Sequence, residues 1–371
     1  MKSSKFKNFL HWFIAVCAYW FYGRPSRKIG VIGVTGTKGK STTTRLVASV
    51  LEGAGHKVGM LSTVEFQIGE KRWMNDKKMT MLGRGQIQKM LRQMVRSGCD
   101  WAVVETSSEG IMQHRSYGLN YDVCVFTNLG SEHAERHGGY ENLKRDKGKM
   151  FAALQSAHRK TINGKPQPKI SIVNGDDKEA AYFLGFYADK KFVFTFDTAN
   201  FNEVESVVAR KEPRAFTIGN EKYKMSLIGD FNLSNGLAAV SVGKALGASY
   251  GQMAPALESV NLVSGRMEFI DEGQPFKVVV DYAHEPMSLT ALFTTLRELV
   301  GKDKKVIGVI GSDGGGRDKL KRSIMGEIGG KLCDQIVITD VNCYDEDPKE
   351  IAEMLARGAQ ITGKQEGKDM H

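Results

Sequence analysis

Gly33-Val-Thr-Gly-Thr-Lys-Gly-Lys-Ser-Thr-Thr-Thr44 follows the short apolar run Ile29 to Val34 and leads into Arg45-Leu-Val-Ala-Ser-Val-Leu51, whose apolar residues have helical spacing. Strand, glycine-rich turn and helix in that order make a phosphate-binding loop, because glycine lets successive backbone N–H groups close around phosphate oxygens at a helix N-terminus. Lys40 is placed to set its charge on the β- and γ-phosphates, and the hydroxyl of Ser41 or Thr42 to face a Mg²⁺ ion. Thr37, Lys38, Gly39, Lys40, Ser41 and Thr42 are therefore the candidate contacts to a nucleoside triphosphate. The common pattern has a glycine separated by four residues from the Gly-Lys pair. Val34 stands there instead, and from Thr35 the loop is the variant T-G-T-K-G-K-S-T.

Outward from the loop, the chain alternates helix and strand. Ile87 to Val95 has helical spacing; Trp101 to Val104 reads as a buried strand ending at Glu105; Tyr121 to Phe126 ends at Thr127-Asn128, and Lys169 to Val173 at Asn174-Gly-Asp-Asp177. Polar residues thus recur at the carboxyl ends of predicted parallel strands, where ligands bind in open α/β sheets. Glu105 is placed to reach Mg²⁺, and His133 is a candidate second ligand, although Mg²⁺ prefers oxygen. His137, four residues on, would form a zinc pair with His133 on a helix. Gly138-Gly139 and the lack of a third ligand argue against it.

At 371 residues, two domains are expected, each able to bury its own core. The composition, 41% hydrophobic and 25% charged, is that of a globular protein. The net charge of +10 is spread along the chain, with no aromatic-plus-basic module, so no nucleic-acid role is expected. Cys17, Cys99, Cys124, Cys333 and Cys343 lack metal-ligand spacing and read as reduced thiols of a cytoplasmic protein. Residues 1–28 are a segment of another kind. Phe9 to Tyr22 is apolar or aromatic apart from His11, flanked by Lys2, Lys5 and Lys7 and by Arg24, Arg27 and Lys28. It is short for a span of about 20 apolar residues. An interfacial helix in peripheral contact with a membrane and a helix packed on the protein are both open.

These motifs together resemble the Mur ligase superfamily of ATP-dependent amide-bond ligases. The resemblance runs from Ile29 to Pro348. It rests on Thr35 to Thr42; Glu105-Thr-Ser-Ser108 with Gln113-His-Arg115; Thr127-Asn-Leu129 with His133 and His137-Gly138; Lys147 before Met150-Phe151; and Asn174 to Asp177. Further on it takes in Gly229-Asp-Phe-Asn-Leu-Ser-Asn235, Gly265-Arg-Met-Glu268, Asp281-Tyr-Ala-His284, and Gly314-Gly-Gly-Arg-Asp318 with Lys321-Arg322. It implies a phosphate-loop central α/β domain with a mostly parallel sheet over residues 29–263. A smaller Rossmann-like α/β domain over 264–371 follows, shortened at its end.

Within the superfamily, the resemblance is greatest to the ligases that add the third amino acid of the peptidoglycan stem. It implies addition of a diamino acid to UDP-N-acetylmuramoyl-L-alanyl-D-glutamate through an acyl phosphate. By the same resemblance, Lys40 and the loop hold ATP, with Ser41, Glu105 and His133 around Mg²⁺; Lys147 becomes a carbamate; and Asn232 and Asn235 lie near the adenine. Asp281 lies near the ribose, His284 is a further ATP-binding residue, and Arg266 reaches the γ-phosphate. Thr80, Ser107, Gln113, Arg115 and Asn342 are assigned to the substrates.

The departures are as specific. The family's uridine-nucleotide-binding domain precedes the loop, where about thirty residues stand here; either the acceptor is gripped differently or it is not a soluble UDP-linked sugar. Diaminopimelate-adding members carry Asp-Asn-Pro-Arg where this chain has Val341-Asn-Cys-Tyr344. Tyrosine cannot replace the two parallel hydrogen bonds of an arginine on a carboxylate, so lysine or another diamino acid is open. The family's Ser-Ser-His is Ser107-Ser-Glu109. Two alternatives stay open: a membrane-associated ligase like those that make poly-γ-glutamate, and a non-catalytic ATP-binding subunit.

Overall fold

The computed structural model describes residues 2–77, 79–130, 134–197, 201, 204–301, 303–315 and 319–371, with side chains from Asn8 onward. Contacts divide the chain into two units, residues 1–264 and 265–371.

In the first unit, nine strands among the described residues form one sheet in the order β11-β10-β9-β6-β1-β5-β2-β3-β4. The strands are β1 (Gly30–Thr35), β2 (Val58–Leu61), β3 (Glu65–Ile68), β4 (Lys71–Met74), β5 (Trp101–Glu105), β6 (Val123–Phe126), β9 (Ile170–Asn174), β10 (Lys190–Thr195) and β11 (Glu205–Val208). A small hairpin, β7 (Thr161–Ile162) with β8 (Lys165–Pro166), stands apart. So does a three-stranded sheet of β12 (Arg210–Glu212), β13 (Ala215–Ile218) and β14 (Glu221–Lys224). The large sheet is parallel from β11 to β2; only the β2-β3-β4 meander is antiparallel.

Helices cover both faces, which is why β1 reads as an unbroken buried run rather than alternating. One face packs against α2 (Lys40–Gly53), α7 (Asp230–Ala245) and α8 (Tyr250–Glu258) through Leu46, Val50, Leu237, Val240 and Leu257. The other packs against α3 (Arg84–Arg96), α5 (Tyr140–Ser156) and α6 (Ala180–Leu184), with Leu91, Met94, Leu143, Phe151 and Phe183 inside. A one-turn helix, α4 (Ser108–Met112), follows β5.

The amino-terminal helix α1 (Lys2–Phe21) joins this unit by packing along α3. Ala15 and Tyr19 are buried, and the Tyr19 hydroxyl accepts from Arg27 Nε and Asn120 Nδ2, both at 3.1 Å. Its other face leaves Phe9, Leu10, Trp12, Phe13, Trp20 and Phe21 exposed. No described helix is long and apolar enough to cross a membrane.

At the amino ends of the strands, Asp122 is buried between two lysines. Its Oδ2 accepts from Lys160 Nζ at 2.5 Å and from the Val31 amide at 2.9 Å, while Oδ1 accepts from Lys169 Nζ at 2.8 Å. The cluster ties the start of β6 to β1 and to the segment entering β9. It leaves the carboxyl ends free for chemistry.

The second unit holds an antiparallel pair, β15 (Glu268–Ile270) and β16 (Val278–Val280), and a parallel pair, β17 (Ile307–Ile310) and β18 (Gln335–Ile338). Helices α9 (Pro286–Val300), α10 (Leu320–Leu332) and α11 (Pro348–Ile361) enclose Phe293, Ile310, Met325, Ile336 and Leu355.

Candidate active site

β1 lies between β5 and β6; the connection from β1 runs to β2 on the β5 side, while that from β5 runs to β6 on the other, which opens a crevice at the carboxyl ends of these strands. The loop after β1 turns there into α2, with Gly39 at the N-cap in the left-handed conformation, φ 79°. Thr127 and Asn128, just past β6, fasten the loop. Asn128 accepts from the Thr37 amide through its carbonyl and from the Lys38 amide through Oδ1, both at 2.8 Å. Thr127 Oγ1 donates to the Lys38 carbonyl at 2.7 Å. Asn174, ending β9, donates to the Thr127 carbonyl at 2.7 Å and so steadies the clasp. The amides of Thr37 and Lys38 are thus turned onto Asn128, and the first turn of α2, from Lys40 to Thr42, follows directly. Lys40 Nζ donates to the Thr37 carbonyl at 2.9 Å.

The N-terminal turn of α7 comes to the same loop from far along the chain. Thr43 Oγ1 donates to Asn235 Oδ1 at 3.1 Å, Asn235 Nδ2 to Asn232 Oδ1 at 3.0 Å, and Asn232 Nδ2 to the Ile228 carbonyl at 2.8 Å. A side chain at position 39 would run into Asn235 Oδ1. Gly39 is therefore required both by its backbone angle and by this close approach.

Glu105 ends β5 in register with Val34, one residue before the loop. It is buried, and it accepts from the Thr63 amide at 2.7 Å and from Thr63 Oγ1 at 2.9 Å. The Thr63 hydroxyl also meets the Thr80 hydroxyl at 3.0 Å, which links a candidate metal ligand to a candidate substrate residue. A carboxylate has four acceptor sites, so Glu105 keeps capacity for a cation. With the Ser41 hydroxyl it offers the oxygen donors that Mg²⁺ takes, the remainder of its shell normally being phosphate and water. His133 lies outside the described residues. His137 is structural: its ring is buried, Nε2 lies 3.1 Å from Ser108 Oγ and Nδ1 2.6 Å from Asp146 Oδ2.

Lys147 is buried on α5, and its Nζ donates to the Gly36 carbonyl at 2.8 Å. The phosphate loop thus has an amine at its back as well as the Lys40 amine.

Ser107, Gln113 and Arg115 sit around α4. Ser107 caps it, accepting from the Gly110 amide at 3.1 Å. Gln113 Oε1 accepts from Arg115 Nε at 2.9 Å, and Arg115 Nη1 donates to the Met81 carbonyl at 2.6 Å. That last bond brings the trio to the loop bearing Thr80. Thr63 and Asn128 were not singled out by role from sequence, although both follow strands at the carboxyl edge, where such residues are to be sought.

In the second unit, Asp281 accepts from the Met267 amide at 2.8 Å and the Ala283 amide at 2.7 Å, fixing the segment that presents Arg266 and His284. The Arg266 guanidinium lies 4.6 Å from the centre of the Tyr282 ring, and His284 Nδ1 lies 2.7 Å from the Tyr282 carbonyl. Asn342 Nδ2 donates to Asp313 Oδ1 at 3.1 Å. Arg322 is buried and spends its Nη1 and Nη2 on Glu346, at 3.0 and 3.2 Å. Tyr344 stands exposed, with φ 54°.

Two family models match this chain: "Mur ligase middle domain" over residues 34–243 and "Mur ligase, glutamate ligase domain" over residues 265–369. A UDP-N-acetylmuramyl-tripeptide synthetase of Roseiflexus sp. (strain RS-1) is 38% identical over 362 residues, covering 95% of this chain and 70% of that protein. A UDP-N-acetylmuramoyl-L-alanyl-D-glutamate–2,6-diaminopimelate ligase of Geobacillus kaustophilus (strain HTA426) is 33% identical over 351 residues, covering 93% and 69%. Among solved structures, a ligase of that second name aligns with a TM-score of 0.60 at 24% identity, over 92% of this chain and 67% of its own. A Mycobacterium tuberculosis folylpolyglutamate synthase complexed with ADP aligns with a TM-score of 0.67 at 17% identity, over 94% and 83%. The two structures share the fold.

Proposed function

The chain belongs to the Mur ligase family, whose members are ATP-dependent ligases that form C–N bonds, and from that premise we propose that it adds a diamino acid to UDP-N-acetylmuramoyl-L-alanyl-D-glutamate in peptidoglycan precursor synthesis. The observation that carries the reading is the buried Lys147 amine on the Gly36 carbonyl, at the base of a loop otherwise built to hold phosphate. A phosphate loop for nucleotide binding alone has no evident use for a second lysine there.

In this reading a carboxylate oxygen of the acceptor attacks the γ-phosphorus of ATP, and the bond to the β-phosphate oxygen breaks to release ADP. The amine of the incoming amino acid then attacks the acyl carbon, loses a proton, and expels inorganic phosphate from the tetrahedral intermediate. The chain's part is position and charge. Lys40 and the first turn of α2 hold the phosphates; Asn232 and Asn235 line the base; Asp281, His284 and Arg266 are further ATP contacts. Thr80, Ser107, Gln113 and Arg115 hold the acceptor, and Asn342 the amino acid. Ser41 and Glu105 would hold Mg²⁺, which would supply charge neutralisation on the phosphate oxygens. Lys147 acts as its carbamate, formed when the neutral amine adds to CO₂ with loss of a proton. This exchanges a cation for an anion in a site that needs oxygen donors.

The amino-acid end favours a substrate without a distal carboxylate. Arg322 is committed to Glu346, and Tyr344 offers no fork. ATP-dependent phosphate release with the muramoyl dipeptide nucleotide is expected to be greater with L-lysine than with meso-diaminopimelate. Equal or greater turnover with diaminopimelate would contradict this specificity.

The exposed aromatic face of α1 also supports peripheral contact with an anionic membrane surface. Arg24, stacked 4.5 Å over the Trp20 ring, sets a cation at the depth where an aromatic belt sits. Vesicles containing phosphatidylglycerol should shift the tryptophan emission to the blue. An unshifted spectrum in a Trp20-only variant would rule the contact out.

A further inference from the structure

Arg84 opens α3 on the loop that carries Thr80 and Met81. Arg115 docks on that loop through the Met81 carbonyl, so two guanidinium groups come to one place. Their circumstances differ. Arg115 has Gln113 and Met81 as acceptors and the Glu109 charge to support it. Arg84 Nε and Nη2 are shut off from solvent and have no hydrogen-bond partner among the described residues.

Those two atoms are not an arbitrary pair. Nε–H and Nη2–H form one edge of the guanidinium and point in parallel, which is the geometry that meets both oxygens of a carboxylate or two of a phosphate. The groups around this edge do not supply such an anion. Burial and then the Arg115 charge push the Arg84 pKa down, with no carboxylate opposing. His114, between Gln113 and Arg115, is held toward its neutral form by burial, by Arg84 and by Lys149 of α5. Glu109 on α4 is shared with Arg136 at 3.5 Å, and Asp146 on α5 is engaged by His137 and Lys149. A desolvated cation facing another cation, with its fork unpaired, is a costly arrangement that a bound anion relieves.

We propose that Arg84 is a second arginine of the acceptor site, taking an oxyanion group of the acceptor, a carboxylate of its peptide or a phosphate of its nucleotide, on the Nε–Nη2 edge. The inference rests on Ser107, Gln113 and Arg115 being acceptor contacts. Arg84 is then a positioning residue for the acceptor and takes no part in ATP or amino-acid binding.

The test compares Arg84→Gln and Arg84→Lys with the unaltered protein in two assays. One is steady-state turnover with UDP-N-acetylmuramoyl-L-alanyl-D-glutamate, L-lysine and ATP; the other is calorimetric titration with L-alanyl-D-glutamate and, separately, with UDP. Arg84→Gln should raise the KM for the acceptor by about tenfold to a hundredfold, the range of a hydrogen-bonded charge, and leave those for ATP and lysine unchanged. Arg84→Lys should recover part of that, since it restores charge without the fork. The fragment that binds more weakly to Arg84→Gln identifies the group. The unliganded thermal midpoint of Arg84→Gln should be no lower than that of the unaltered protein, because the change removes a repulsion. An unchanged acceptor KM with unchanged fragment affinities overturns the proposal, as does a lowered midpoint with all three KM values shifted together. If the unaltered protein does not turn over but fragment binding still depends on Arg84, the anion site stands and the ligase reading falls. If neither fragment's binding depends on Arg84, the anion site falls.

Discussion

Replacing Lys147 by alanine should lower acceptor-dependent phosphate release by about a hundredfold to a thousandfold, the range found when one preorganised polar group is removed from a reacting centre. The side chain is buried and its amine ends on the Gly36 carbonyl, so the loss falls on the loop that holds the reacting phosphate. ATP affinity should change far less, because Lys40 and the first turn of α2 remain. Two further measurements separate a carbamate from a plain amine. Lys147→Arg keeps a cation that cannot add CO₂, and it should be as inactive as Lys147→Ala. Formate or acetate should partly restore Lys147→Ala by bringing a carboxylate into the vacated space. Full activity in Lys147→Arg would remove the carbamate from the mechanism and leave only a structural lysine.

The largest effect on stability is expected at the opposite end of the sheet. Asp122 is fully buried and joined to Lys160, Lys169 and the Val31 amide. Burial pulls the Lys160 amine down to about 8 even though Asp122 opposes it. Asp122→Ala leaves two lysines buried without their counter-charge and a strand amide without its acceptor, and should cost about 3–5 kcal/mol. The urea midpoint of unfolding measures this. The combined change of Asp122→Leu, Lys160→Met and Lys169→Met should recover most of the loss, since a buried ion cluster exchanged for apolar groups of similar size is often neutral. If Asp122→Ala moves the midpoint by less than the combined variant does, the cluster does not hold the strands together as described.

The contrast between these two sites shows what a sequence discloses. Strand β1, the phosphate loop and α2 are legible because local rules converge on one stretch: an apolar run, glycines where the backbone must turn, and a helical period after them. Glu105 is legible for the same reason, as a charge closing an apolar strand. Asp122 is not, although it closes the preceding turn in a similar way, because its lysines come from 38 and 47 residues further on. The bond from Thr43 to Asn235 spans 192 residues, and nothing near either residue announces it. His137 shows the converse: its spacing to His133 invites a metal that the following glycines argue against, and its ring is engaged by Ser108 and Asp146. The sequence leaves two readings of the amino-terminal helix open, and its packing along α3 answers to one of them. Tyr19 packs inward while Trp12 and Trp20 stay exposed. Arg84 could not be read from sequence at all, because an arginine open to solvent and a half-buried one whose Nε–Nη2 edge has no partner look the same in a string of letters.

The claim on which the rest depends is that this chain activates a carboxylate by phosphorylation. The most direct measurement uses UDP-N-acetylmuramoyl-L-alanyl-D-glutamate with ¹⁸O in its acceptor carboxylate, incubated with ATP and L-lysine, followed by mass analysis of the phosphate released. An acyl phosphate intermediate leaves one ¹⁸O atom in each inorganic phosphate formed. Phosphate that carries no label, or that forms at the same rate without the acceptor, would contradict the account.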